Sequence, residues 1–345
     1  MTHNKDIPTV PSTVDRLNAY IDRLGQSEIP RVIPLAGDAS ERNYFRLISE
    51  NGLSKILVIY KEPFNYKELS FVNVTELLHQ FSIPSPAILG HADDLGILIL
   101  EDLGDLTFQN HLKGISPAKH INWYRKAIDI IVILQQQQDE KTTADYIPYR
   151  LAFDTEKLES ELNFFIKYFI ETHRGVSISE RTKSAIQKEF NVMATTIAME
   201  PRLLCHRDFH SRNLMVRGER LYLIDFQDAR MGPETYDLAS LLRDSYMDLS
   251  EKLFSDAIAY FLSQKGGERD PKKFRQHFDL VAMQRNLKAL GTFGYQVSER
   301  HNPIYLQYIP RTLRYVRQTL YGDPRFNTLR PILGGLVHEL REVNF

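Results

Sequence analysis

Apolar residues recur three or four apart at Val14, Leu17, Tyr20, Ile21 and Leu24, which predicts a helix over 11–24 with Ser12 as its N-cap and Gly25 as its stop. The segments Arg31–Leu35 and Tyr44–Ile48 read as strands, and Leu57-Val58-Ile59-Tyr60-Lys61 as a third, ending in a lysine. Helical spacing returns over Phe71–Phe81, and Ile83-Pro84-Ser85-Pro86 ends it. Residues 87–90 and 96–100 then read as a hairpin. Further on, the pattern turns helical at 107–112, 123–138 and 151–171, with Gln135–Gln138 as a solvated helix end rather than a low-complexity tract. Residues 214–216 and 221–224 read as strand, turn, strand about Arg217-Gly218-Glu219-Arg220. From Leu253 onward the chain reads as helical, with breaks at Gly266-Gly267, Pro303 and Pro324. A strand-rich first third followed by a helix-rich remainder gives the class α+β.

Composition changes this picture little. The 345 residues are enough for two cores, and 43% hydrophobic and 25% charged residues are ordinary for a globular enzyme. A net charge of -1 provides no general attraction to nucleic acid or to an anionic membrane, so any electropositive site must be local. The polar opening MTHNKDIPTVPS lacks the apolar run of a signal peptide, and no stretch approaches the length of a membrane span. A cytoplasmic monomer is the expectation. The single cysteine, Cys205, precludes an internal disulfide, and its place at an apolar strand end favours a buried, inert thiol.

The candidate chemistry lies between Leu204 and Asp225. His206-Arg207-Asp208 is followed five positions after the aspartate by Asn213, and an apolar run then ends in Ile224-Asp225-Phe226. That order and spacing suit phosphoryl transfer from a Mg-nucleotide. The metal needs hard oxygen ligands, which the Asn213 amide and the Asp225 carboxylate offer. Asp208 is placed to orient the attacking hydroxyl or to accept its proton. The strand-turn-strand between them would return Asn213 and Asp225 to the same end of a ribbon.

The run Asp208–Met215, with Ile224–Ala229 and Gly232–Leu238, resembles the aminoglycoside phosphotransferase family, whose members share the bilobal protein-kinase-like fold. More narrowly it is similar to the bacterial anomeric amino-sugar kinases, which act on the C1 hydroxyl of N-acetylmuramate and N-acetylglucosamine in cell-wall recycling. The resemblance spans about Gly37 to Gly294. It implies a nucleotide-binding lobe over 1–104, joined at a hinge to a catalytic and acceptor-binding lobe over 105–345, with ATP and Mg²⁺ as cofactors.

Particular roles follow from that resemblance. The connection 36–43, with Gly37 and Ser40, would cover the nucleotide, Arg42 being a further residue to watch; an ordinary polar turn is the alternative. Lys61 would pair with the phosphates, held by Glu76 or by Glu68, unless it is a solvated surface lysine. Backbone groups around Glu101 to Leu103 would meet the adenine edge. Acceptor contacts are implied for Arg212, Asp228, Arg243 and Arg285, and support of the site for His206 and Asp237. Arg285 and Lys288 lie three apart and share a helix face, where they would meet a carboxylate or a nascent phosphate, or else be plain surface charges; Arg243 and Asp244 would face the cleft or form an exposed ion pair.

Three readings remain open at this point: a sugar 1-kinase, an aminoglycoside or other small-molecule hydroxyl kinase of the same fold, and a nucleotide-binding pseudokinase. All three polar groups of the chemistry are present, which argues for turnover. Residues 231–345 carry 16 Lys plus Arg against 13 Asp plus Glu, so this half is not the acidic surface a polycationic aminoglycoside would select.

Overall fold

A computed structural model describes residues 11–25, 30–35, 42–136, 145–267 and 270–342. Gly37, Ser40, Gln137 and Gln138 fall outside the described residues. Helix α1 (Thr13–Arg23) starts where Ser12 and Asp15 cap each other reciprocally, Ser12 Oγ accepting from the Asp15 amide and Asp15 from the Ser12 amide. It lies against a five-stranded antiparallel sheet of order β1-β2-β3-β5-β4, formed by Arg31–Leu35, Asn43–Ile48, Ser54–Ile59, Ile88–Ala92 and Ile97–Glu101 in chain order.

Strand periodicity divides this sheet into two faces. Leu57, Ile59, Ile97 and Ile99 pack with Leu17 on the α1 side. Val58, Leu98 and Leu100 pack on the other side with Val74, Leu77 and Leu78 of α2 (Ser70–Gln80). The register that sets this pairs Val58 with Leu98 and Ile59 with Ile97.

Beyond Gly104 the chain is mostly helical. Thr107 bridges to Met215, and the Val216 amide donates to the Leu106 carbonyl (2.8 Å), so the segment after Gly104 is tied to the strand that follows Asn213. Helices α3 (Phe108–Gly114) and α4 (His120–Gln136) precede α5 (Thr155–Phe164), which widens into α6 (Phe165–His173), where the Arg174 amide reaches back five residues to Phe169. The sequence pattern started this helix at Leu151; instead Ala152 bridges to Met231, and Asp154 caps the helix. A 19-residue helix, α7 (Glu180–Ala198), has no counterpart among the expected elements, although its buried Ile186, Phe190, Met193, Ala194 and Ile197 recur three or four apart as an amphipathic helix requires.

Strands β6 (Arg202–Cys205), β7 (Leu214–Arg217), β8 (Arg220–Leu223) and β9 (Arg230–Pro233) form two antiparallel pairs, β6 with β9 and β7 with β8. Gly218, at φ +58°, makes the β7–β8 turn. After α8 (Tyr236–Leu242) come α9 (Glu251–Lys265), the 28-residue α10 (Pro271–Ser298), α11 (Ile309–Gly322) and α12 (Leu329–Leu336). Helix α10 crosses α6 at backbone distance: a Cβ on Gly291 would lie 2.8 Å from the Phe165 amide nitrogen, and one on Gly294 would strike the Tyr168 carbonyl. Two glycines three apart therefore let α10 sit closely enough to present its middle to the β6–β9 end of the molecule. No helix among the described residues is long and apolar enough to cross a membrane.

Candidate active site

The β7–β8 hairpin does what its sequence suggests. The Ile224 amide donates to the Asn213 carbonyl (3.1 Å), which closes the ribbon and places Asn213 Nδ2 3.5 Å from Asp225 Oδ2. Asn213 Nδ2 also donates to the Asp208 carbonyl at 3.0 Å, so the amide is anchored to the loop that carries Asp208. Phe226, next in the chain and 1% exposed, packs on Phe71 of α2 with ring centroids 4.7 Å apart. Burying a side chain of that size contributes roughly 1.5–3 kcal/mol and ties the hairpin to α2.

Two residues of this loop have positive φ without being glycine: Arg207 at +85° and Asp225 at +61°. Such conformations cost on the order of 1–3 kcal/mol and persist where surrounding contacts over-determine them. For Arg207 those contacts are visible. Asp237 of α8 accepts from the His206 amide (2.6 Å) and the Arg207 amide (3.0 Å), and His206 Nε2 donates to the Ile224 carbonyl (3.0 Å). Asp237 is fully buried, and burial raises its pKa against the pull of those donors.

Asp208 stands in a network of charges. Its Oδ1 lies 3.0 Å from Lys288 Nζ and 4.0 Å from Arg285, and its Oδ2 lies 3.8 Å from Arg207 Nε. Burial works against this carboxylate, but Lys288, Arg207 and Arg285 outweigh it and hold its pKa well below the ordinary range. Arg207 also pairs with Asp228 (3.0 Å) and Glu161 (3.8 Å), and Arg285 donates to the Arg207 carbonyl (2.6 Å). Burial drives the imidazole of His210 down to about 3, so it is neutral at physiological pH.

Two cavities meet here. The larger, about 590 Å³, is lined by Asp208, Asp228, Arg243, Arg285 and Lys288, with Tyr246, Phe293 and Tyr305 supplying aromatic faces. The smaller, about 280 Å³, lies under the first sheet between apolar residues that include Ile56, Val58, Leu100, Leu103 and Met215. Asn213, Asp225 and Arg42 border both.

Several expected residues sit elsewhere. Lys61 is exposed and lines neither cavity. The end of the strand explains the correction: Ile56, Val58 and Tyr60 line the smaller cavity, but β3 stops at Ile59 and Lys61 lies in the bend beyond it, where its carbonyl accepts from Arg16 (3.3 Å). Glu76 is exposed too, beside Tyr66 and Tyr146, and no ion pair joins Lys61 to Glu76 or Glu68 among the described residues. The α2 face turned to the cleft is apolar, led by Phe71. Arg42, at the start of β2, reaches in instead: its guanidinium is 3.4 Å from Asp225 Oδ1 and lies over the rings of Tyr44 (5.9 Å) and Tyr60 (5.8 Å).

At the end of β5, Leu103 lines the smaller cavity, and the Glu101 carboxylate is taken by Arg217 and the Ala87 amide. Arg46 of β2 clamps the same turn through Asp102 (2.6 Å) and Asp105 (2.9 Å). Arg212 borders the smaller cavity rather than the larger one, its guanidinium 4.9 Å from the Tyr246 ring. Arg243 lines the larger cavity, but its guanidinium lies over Phe254 (4.2 Å) and Tyr315 (5.2 Å). Asp244 forms no surface pair: it is buried and accepts from the amides of Ser211 (2.9 Å) and Tyr246 (2.8 Å).

Glu161 was missed, although it left a signal. It shares an α5 face with the buried Leu158 and Leu162, and a carboxylate on an apolar helical face asks for a partner. Burial opposes its charge, and Lys288 and Arg207 outweigh that and lower its pKa.

A sequence model of the phosphotransferase enzyme family matches residues 31–275. The chain belongs to that family. Among curated proteins this phosphotransferase is 28% identical over 336 residues to an N-acetylmuramate/N-acetylglucosamine kinase of Pseudomonas aeruginosa, covering 93% of this chain and 96% of that one. It is 29% identical to a protein of the same name from Neisseria meningitidis serogroup B, covering 88% of each chain. Among solved structures it matches a choline/ethanolamine kinase family protein of Mesorhizobium loti with TM-score 0.59 and 15% identity, over 92% of this chain and 97% of that one. An ADP-bound aminoglycoside phosphotransferase matches with TM-score 0.57 and 14% identity, over 88% of this chain and 98% of the other. The enzyme thus has the fold of these kinases.

Proposed function

We propose that the protein is a cytoplasmic ATP-dependent kinase of amino sugars that phosphorylates the anomeric C1 hydroxyl of N-acetylmuramate and N-acetylglucosamine. The observation that carries this reading is the convergence of Asp208, on the larger cavity, with Asn213 and Asp225, which border both, in a chain whose curated relatives are named as kinases of these two sugars. The smaller, apolar cavity suits an adenine ring against Leu103 and Met215, and the larger suits a sugar.

Magnesium fits the donors present. Asn213 and Asp225 offer two hard oxygens, and no group of three His, Cys, Asp or Glu side chains among the described residues could form an all-protein metal cage. Two protein ligands completed by phosphate oxygens and water is the ordinary magnesium pattern. Asn213 Nδ2 is committed to the Asp208 carbonyl, which leaves Oδ1 for the ion. Bound there, the ion would neutralise the triphosphate and draw charge from the leaving diphosphate.

The chain's own residues supply the rest. Arg42, between the cavities, binds phosphate oxygens where a strand lysine serves other kinases. Asp208 orients the C1 hydroxyl and receives its proton late, since so acidic a carboxylate is a weak base. Tyr246, Phe293 and Tyr305 give the sugar ring apolar contact. The larger cavity has five Arg and Lys against four Asp along its lining, which suits a neutral or anionic acceptor better than a polycation.

The test is Mg-ATP turnover on N-acetylmuramate, N-acetylglucosamine, kanamycin and choline, with phosphorus NMR of the product. An anomeric phosphate ester on either amino sugar is the expected result. Phosphorylation of kanamycin or choline alone would overturn it.

A further inference from the structure

Lys288 is the cation nearest the Asp208 carboxylate, at 3.0 Å from Oδ1, yet it comes from a helix 80 residues further along the chain. Its side chain is only 15% exposed, and a lone ammonium so placed is costly unless paired. It has two carboxylates: Asp208 in front, and Glu161 behind at 4.0 Å. Glu161 is itself fixed, because the fully buried Gln284, one turn before Lys288 on α10, donates to its Oε2 at 3.0 Å. The close crossing at Gly291 and Gly294 holds α10 against α6, the continuation of the helix that carries Glu161. The ammonium is therefore mounted on two helices, facing the larger cavity.

We propose that Lys288 is the positioning residue of the transfer step, holding Asp208 by Oδ1 so that Oδ2 faces the acceptor hydroxyl, with Glu161 fixing the ammonium from behind. This rests on Asp208 acting on the acceptor, as in the reading above. In the step, the acceptor oxygen bonds to the γ-phosphorus as the bond to the bridging oxygen of the diphosphate breaks. That electron pair leaves with the diphosphate, and the hydroxyl proton passes to Asp208 Oδ2. Lys288 keeps its three protons and acts through geometry and charge. Without it, Arg207 at 3.8 Å and Arg285 at 4.0 Å are the remaining cations and would draw the carboxylate off line.

A double-mutant cycle separates this role from a merely structural one. Lys288→Met should lower kcat by about 30- to 100-fold, the size of effect that small misplacement of a reacting group produces, with nucleotide Kd within about twofold. Lys288→Arg, which keeps the charge, should recover turnover to within about fivefold of wild type. In an Asp208→Asn background, Lys288→Met should cost less than about threefold more, because residues acting as a unit are not additive. The same full loss in both backgrounds would overturn the proposal, as would an arginine variant no better than methionine. Lys288→Gln carries the same cycle should the methionine variant fold poorly by circular dichroism. The cycle is read on whichever alcohol the wild type phosphorylates, so a wrong choice of sugar does not affect it.

Discussion

The two sides of the cleft at Asp225 are built by different means. On the C-terminal side Asn213 and Asp225 flank one short hairpin, closed backbone to backbone at Ile224 and Asn213, and Asp208 is hydrogen-bonded into the same loop. On the N-terminal side the cation that reaches Asp225 comes from the first residue before a strand, Arg42, and the α2 face opposite is apolar. The first side is a local construction. The second depends on which face of β3 meets which face of α2, and here the strand-lysine and helix-glutamate pair of other kinases is not formed: Lys61 and Glu76 are both exposed. The difference teaches that Asn213 and Asp225 are set by backbone contacts within one hairpin, whereas the cation that meets Asp225 is set by how separate elements pack.

Substitutions on the two sides test that contrast. Asp208→Asn should reduce kcat by about a hundredfold or more with nucleotide affinity largely kept, the range of a general-base contribution. Near-normal turnover in steady-state kinetics would remove Asp208 from the chemistry. Asp225→Ala should weaken Mg-nucleotide binding by on the order of a hundredfold, measured as the loss of magnesium dependence in a calorimetric ATP titration. Arg42→Met should cost about 10- to 100-fold in kcat/KM for ATP, which corresponds to losing one charged hydrogen bond of about 1.5–3 kcal/mol. Lys61→Met and Glu76→Gln should each change kcat/KM by less than about twofold, the ordinary outcome for exposed charges. If Lys61→Met proved the more damaging of the two cation variants, the assignment of the phosphate contact to Arg42 would fall.

Much of the molecule was legible because its signals are short-range. Ser12 caps α1 through Asp15, three positions away, and Gly218 turns the β7–β8 ribbon within four residues, so composition and spacing sufficed. The order Asp208, Asn213, Asp225 was readable for the same reason. Asp237 lies only 31 positions from His206, at the head of a helix, and its two amide contacts hold the backbone of His206 and Arg207.

What the chain's order of residues determined by itself is a fold class, the hairpin, and the polar groups at its ends, since these follow from backbone preference and neighbour spacing. Tertiary structure decided which charges those groups meet. The end of β3 at Ile59 left Lys61 in an exposed bend, Arg42 took the cleft, and the crossing of α10 over α6 brought Lys288 to Asp208 and Glu161 behind it. Electrostatic attraction acts through space and falls with distance rather than with sequence separation, so partners 80 or 127 positions apart carry no local mark of each other.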